Sequence, residues 1–187
     1  MSKLKWKPGT MLYPVPPVMV SCGDMDNSNI ITVAWTGIIC TDPAMTYVSI
    51  RKERHSYDII KSKGEFVINL ASANLARTVD FCGVKSGRNI DKFKECNLTK
   101  EKATEVSAPM IKECPISIEC KVREIKELGT HDMFMAEILA VNVDEKYLDE
   151  TGRFDMEACN LLAYSHGQYY SLGERLGKFG FSVEKKK

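Results

Sequence analysis

Ile116-Ser117-Ile118-Glu119-Cys120-Lys121-Val122-Arg123 is the stretch whose reading decides the fold. Apolar side chains at 116, 118, 120 and 122 alternate with polar ones at 117, 119, 121 and 123, the period of a strand with one face on a core. Leu128-Gly129-Thr130 supplies a turn, and residues 133–143 resume an apolar, strand-like composition. The pattern predicts a long antiparallel hairpin from strands 116–126 and 133–143, with Ser117, Glu119, Lys121 and Arg123 on the face away from the core.

Working outward, most of the remaining chain has the same character. Val18-Met19-Val20-Ser21-Cys22 is a short apolar run closed by the turn-rich residues 23–28. Residues 29–36 and 45–51 are β-branched and aromatic, with Thr41-Asp42-Pro43 turning between them. Over 56–63 the period becomes helical: Tyr57, Ile59 and Ile60 share a face and Gly64 ends it. Residues 65–70 predict another strand, and residues 73–82 a second helix with Ser72 as its N-cap. Ile90, Phe93 and Lys94 mark a short third helix, residues 99–107 a polar loop, and residues 161–164 and 168–171 two last short strands. Six or seven strands with little βα alternation predict a mainly β fold with short helices, an antiparallel barrel rather than a doubly wound sheet. A chain of 187 residues suits a single domain over 1–187, with an extended arm at 1–17 and a tail at 177–187 whose Phe179 and Phe181 are placed to dock on a partner.

Composition narrows the function. The 26 basic and 25 acidic residues leave a net charge of +1, which argues against nucleic acid as a partner. The one basic run, Lys185-Lys186-Lys187, reads as a solvated tail. Lys3, Lys5 and Lys7 ahead of an apolar run have the outline of a lipoprotein signal, but Pro14, Pro16 and Pro17 would break its helix. No stretch approaches the roughly 20 apolar residues that span a bilayer, so a soluble protein without a membrane partner is expected. The seven cysteines form no C-x-x-C pair and fit no zinc spacing, which predicts free thiols in a cytoplasmic protein and no metal site.

No dinucleotide fingerprint, P-loop, nucleophile elbow or zincin motif occurs, and His55, His131 and His166 stand far apart. Chemistry is therefore expected from a bound cofactor. The informative region is 29–70: Asn29-Ile30-Ile31-Thr32-Val33-Ala34-Trp35, then Ser49-Ile50-Arg51-Lys52, His55-Ser56, and Gly64-Glu65-Phe66-Val67-Ile68-Asn69-Leu70. A strand end carrying Arg51 and Lys52, followed by a helix opening near His55-Ser56, makes an anion site from two cations, a hydroxyl and free helix N–H groups. Thr32, Trp35 and neighbouring amides suit the edge of an aromatic ring. Taken alone, the same pattern also suits a solvated turn with Trp35 in the core.

The order N-x-x-T-x-A-W, S-I-R-K, H-S-x-x-x-I, G-E-F-V-I-N-L resembles the flavin reductase-like family, which includes flavoredoxins and the reductase components of two-component flavin monooxygenases. The likeness continues through Ser86-Gly87-Arg88-Asn89-Ile90-Asp91-Lys92-Phe93, similar to the family's S-G-x-x-x-D-K-F segment, through residues 129–138, and through residues 167–173. It covers about residues 11–175. The resemblance implies a six-stranded antiparallel split β-barrel of Greek-key type, binding FMN at a homodimer interface. It places Asn29, Thr32, Ala34 and Trp35 along the isoalloxazine and ribityl chain, and Ser49, Ile50, Arg51, Lys52, His55 and Ser56 around the ribityl and phosphate. It puts Ser86 and Gly87 in a loop over the site and His131, as the catalytic candidate, near the flavin face. NADH-using members often have G-D-H where this chain has Gly129-Thr130-His131; without the carboxylate the pattern is closer to flavoredoxins, which exchange electrons with protein partners. The implied activity is an FMN-dependent oxidoreductase or electron carrier fed by NAD(P)H or a redox protein. The alternatives are a flavin-binding sensor without turnover and a reductase that uses FMN as a diffusing substrate. Cys40 is the thiol nearest in sequence to the proposed site.

Overall fold

The computed structural model describes residues 2–184. In chain order the strands are β1 (Val18–Gly23), β2 (Ser28–Val33), β3 (Thr36–Thr41), β4 (Ala44–Arg51), β5 (Glu65–Leu70), β6 (Lys100–Glu101), β7 (Met110–Ile111), β8 (Ile116–Leu128), β9 (His131–Val143), β10 (Leu162–Ser165) and β11 (Gln168–Ser171). The helices are α1 (His55–Lys63), α2 (Ala76–Val84) and α3 (Lys92–Glu95). Seven strands form one sheet in the order β2-β1-β5-β8-β9-β4-β3, every neighbouring pair antiparallel. β10 pairs with β11 and, through Tyr164, with Val15 in an isolated antiparallel bridge, and β6 pairs with β7.

The predicted strand over 29–36 is two strands. β2 pairs with β1 at one edge of the sheet and β3 with β4 at the other, so Ala34 and Trp35 carry the chain from one edge to the other. The Ser49 N–H donates to the Trp35 carbonyl at 2.9 Å, tying this link to β4. The barrel is thus split: its edges meet through two residues of covalent chain instead of a hydrogen-bonded ladder. This division accounts for a seven-stranded open sheet where six strands were expected.

One side of the sheet buries Val20, Val48, Ile50, Phe66, Phe134 and Ala136 against Tyr57 and Ile60 of α1. Tyr57 reaches Asp132 with its hydroxyl, donating to Oδ2 at 2.6 Å, while Lys52 Nζ stands 3.4 Å from the same oxygen. These contacts hold the Asp132 carboxyl below its usual range, the Tyr57 bond foremost, and the same bond pushes Tyr57 up to about 12. A second cluster, with Met19, Ile30, Val79, Cys82, Phe93 and Leu162, packs α2 and α3 over β1 and β2. The turn before α2 is not capped by Ser72, as the sequence had suggested: Ser72 donates to the Asn74 side chain at 2.6 Å, and residues 73–75 form a 3-10 turn.

The first half of the polar face of β8 is also buried. Glu119 is 0% exposed and Ser117 5%, because residues 99–115 fold back over them and β6 and β7 lie within that cover. Glu119 accepts from the Thr104, Glu105 and Val106 amides, from the Thr104 hydroxyl and from Asn142 Nδ2. Burial alone would raise its carboxyl; these donors outweigh it and hold the group below the usual range. Asn69 serves as a second polar hub, donating to the Met19 carbonyl and accepting from the Ile111 amide and Ser117 hydroxyl. A buried donor stripped of its acceptor costs about 1–3 kcal/mol. Glu119→Ala, which strands several, should therefore lower unfolding free energy by at least about 3 kcal/mol in urea titrations. Because this carboxyl is depressed in the fold, its contribution is present above the unfolded value of about 4.3 and lost as pH falls below it. The Glu119→Ala deficit should accordingly shrink in acid.

Candidate functional site

The seam between β2 and β3 opens into a cleft of about 250 Å³. Thr32, Ala34 and Trp35 border it from the β2–β3 link, Ser49, Ile50 and Arg51 from β4, and His131 from the start of β9, directly opposite Arg51 in register. Tyr13, Tyr164 and Tyr169 form the far wall. Trp35 is 44% exposed and meets the His131 ring edge-on, centroids 5.1 Å apart. The indole is therefore a wall of the cleft and not part of the core. Burial, then the Arg51 guanidinium, lowers the His131 imidazole below its ordinary value, which disfavours its cationic form. Thr130 Oγ1 lies 2.9 Å from its Nδ1.

Beside this cleft lies a cradle of about 160 Å³ bordered by Asn29, His55, Ser56, Ser86 and Gly87. Four cationic side chains also border it: Arg54, Lys85, Arg88 and Lys92, against the single carboxylate of Glu53. α1 starts here without a side-chain cap; the Tyr57 amide donates to the Arg54 carbonyl at 2.9 Å, which leaves the His55 and Ser56 N–H groups for an anion. Asn29 Nδ2 donates to Ser56 Oγ at 2.7 Å, and Arg88 Nη1 to the Glu53 carbonyl at 3.0 Å. The Arg54 guanidinium donates to the Gly83 carbonyl, joining α1 to the end of α2. A Cβ on Gly87 would fall 2.0 Å from Asn29 Oδ1, so the loop can close on Asn29 only with glycine there. Ile31 and Arg54 border both clefts, which therefore adjoin.

The structure gathers the sequence candidates into two groups. Thr32, Ala34, Trp35, Ser49, Ile50, Arg51 and His131 border the seam cleft, and Asn29, His55, Ser56, Ser86 and Gly87 the cradle. Lys52 borders neither; it stands 3.4 Å from Glu127 and 3.4 Å from Asp132. Cys40 is also outside both clefts, its Sγ 3.4 Å from the Asp42 carbonyl. The sequence reading did not single out Arg54, Lys85, Arg88 or Lys92. Arg54 directly precedes His55-Ser56, and Arg88 and Lys92 lie within the quoted 86–93 segment, so position next to a motif was the available signal.

The description "flavin reductase like domain" matches residues 10–173. The chain belongs to the flavin reductase-like family. Its structure superposes on the flavoredoxin of Desulfovibrio vulgaris (Miyazaki F) with a TM-score of 0.90 and 34% identity, covering 98% of this chain and 100% of that one. An uncharacterized protein of Pyrococcus abyssi is 33% identical over 73% of this chain and 78% of its own length. A high molecular weight rubredoxin of Moorella thermoacetica is 27% identical over 69% of this chain and 55% of its own. Among the described residues no helix is long and apolar enough to cross a membrane, and no group of three or more His, Cys, Asp or Glu side chains is arranged to hold a metal ion.

For this family member, the partly buried, Arg51-flanked imidazole makes a direct prediction. In an NMR pH titration the His131 midpoint should fall below about 6.5, and Arg51→Ala should move it upward. A midpoint above that value would contradict the cleft as described.

Proposed function

We propose that the chain binds FMN across the two adjoining clefts and serves as a flavoredoxin-like oxidoreductase, exchanging electrons with a redox protein. The observation that carries this reading is the adjacency itself: an aromatic-walled seam beside a cradle with four cations and an uncapped helix start. A ring system joined by a short polyol to one phosphate has this division of character, and the cradle carries the charge to meet the phosphate.

In this arrangement Arg54, Lys85, Arg88 and the first-turn amides of α1 hold the phosphate, while Asn29 and Ser56 fix its inner edge. Ala34 and Trp35 border the ring, and the link that carries them is fastened to β4 through Ser49. When bound, FMN supplies reversible uptake of one or two electrons. His131 offers an imidazole beside Trp35 whose cationic form is disfavoured, able to orient a hydrogen bond at the ring. The names of two relatives, a flavoredoxin and a high molecular weight rubredoxin, favour a protein donor over NAD(P)H. A homodimer fits the exposed apolar residues of β3, one of the two edge strands: Ile38 is 84% exposed and Ile39 43%.

The protein mixed with FMN should acquire the absorption of a bound flavin. Anaerobic NADH should leave that absorption in place, and a reduced redox protein should bleach it. Bleaching by NADH would instead make the protein a pyridine-nucleotide reductase, and failure to take up FMN would contradict the proposal. A charge-assisted hydrogen bond contributes about 1.5–3 kcal/mol, so Arg54→Ala should weaken FMN binding roughly 10- to 150-fold in fluorescence titrations. Light scattering should return twice the 21.1 kDa chain mass, and Ile38→Glu should return the monomer.

A further inference from the structure

Lys92 is the least ordinary residue bordering the cradle. The residue is only 3% exposed, and its amine reaches Ile30 and Cys82, two members of the apolar cluster under α2 and α3. Its Nζ donates to two backbone carbonyls, Ile30 of β2 and Cys82 of α2, each at 2.7 Å. An ammonium has three N–H groups and a neutral amine has two. Both carbonyls are therefore served in either charge state, and what protonation adds is a third N–H.

We infer that Lys92 is a proton-linked anchor: its third N–H points into the cradle, and entry of a phosphate monoester draws a proton onto the amine from solvent. This rests on the FMN reading above. The groups facing Lys92 come from every side. Cys82 of α2, Cys22 of β1, Cys96 after α3 and Arg54 ahead of α1 surround its head, and Glu53, His55, Lys85 and Arg88 complete the cradle. Asp91, its neighbour in the chain, is spent on the Phe93 and Lys94 amides at the start of α3. Burial pushes Cys22 and Cys82 up to about 11 and about 12 and raises Cys96, so these thiols carry no charge to balance an ammonium at neutral pH. Burial likewise pushes Lys92 down to about 8. Glu53, the cradle's one carboxylate, stands 3.5 Å from Arg51 instead, so a phosphate dianion would supply both the countercharge and the acceptor for Lys92.

FMN is a suitable probe because its phosphate, with a second pKa of about 6, is already dianionic above pH 7; riboflavin, which has no phosphate, is the control. FMN affinity of the wild-type chain should fall about tenfold between pH 7 and pH 9, with riboflavin affinity unchanged. Lys92→Arg, whose guanidinium does not deprotonate, should make the FMN profile flat. A flat wild-type profile, a parallel fall for riboflavin, or a slope surviving in Lys92→Arg would each overturn the inference. Calorimetry on the wild-type chain needs no variant to fold: at pH 8.5, in two buffers of different ionisation enthalpy, FMN binding should take up more than roughly half a proton. No uptake would overturn it as well. FMN binding with no pH dependence refutes the proton linkage alone, whereas no FMN binding at any pH refutes the FMN reading from which it starts.

Discussion

The two-residue link at Ala34 and Trp35 is the constraint on which the rest of the structure depends. Seven antiparallel strands curl until the sheet's edges approach, but β2 and β3 are consecutive in the chain and stand on opposite edges. Their backbones cannot complete a ladder across the gap, and a seam results. Side chains along a closed barrel wall point inward to a packed core or outward to water. Along a seam they border a cleft, which is how Trp35, a residue type usually assigned to a core, comes to stand against His131 instead.

The seam alone would be only an aromatic groove. The cradle beside it comes from four separated segments: β2 at Asn29 and Ile31, the start of α1, residues 85–88 after α2, and Lys92 at the start of α3. Hydrogen bonds between these segments hold it together, notably Asn29 to Ser56, Arg54 to Gly83, and Lys92 to both Ile30 and Cys82. Several of the groups that would meet a ligand are thus also the groups that fasten helices to β2. The same feature explains how so cationic a pocket is tolerated, since backbone carbonyls take the N–H groups of Arg54, Arg88 and Lys92.

Much of this was legible in the sequence. The alternation over 116–122 gave the long hairpin, and the ordered motifs between Asn29 and Leu70 gave both the family and most residues of the two clefts. What was not legible has physical reasons. Alternation marks which residues share a face, but not what covers that face. Glu119 and Ser117 therefore read as solvent-facing until residues 99–115 are seen folded over them. Composition is continuous through residues 29–36, so nothing local announces that the strand changes partner at Ala34. Arg51 and Lys52 looked equivalent as a basic pair, but Arg51 ends β4 and Lys52 opens the turn that follows it. Arg51 borders the seam cleft, and Lys52 reaches Asp132. The cations of the cradle come from places 38 positions apart, from Arg54 to Lys92, which no window on the sequence brings together.

The central claim is spatial: a flavin ring in the seam and its phosphate at the start of α1. Backbone and indole NMR shifts, recorded during parallel titrations with FMN and riboflavin, test it most directly. The account predicts that both ligands move the Trp35 indole and the Ala34 amide, and that FMN alone moves the amides of His55, Ser56 and Gly87. Shifts from FMN that avoid the start of α1, or identical patterns for the two ligands, would contradict it.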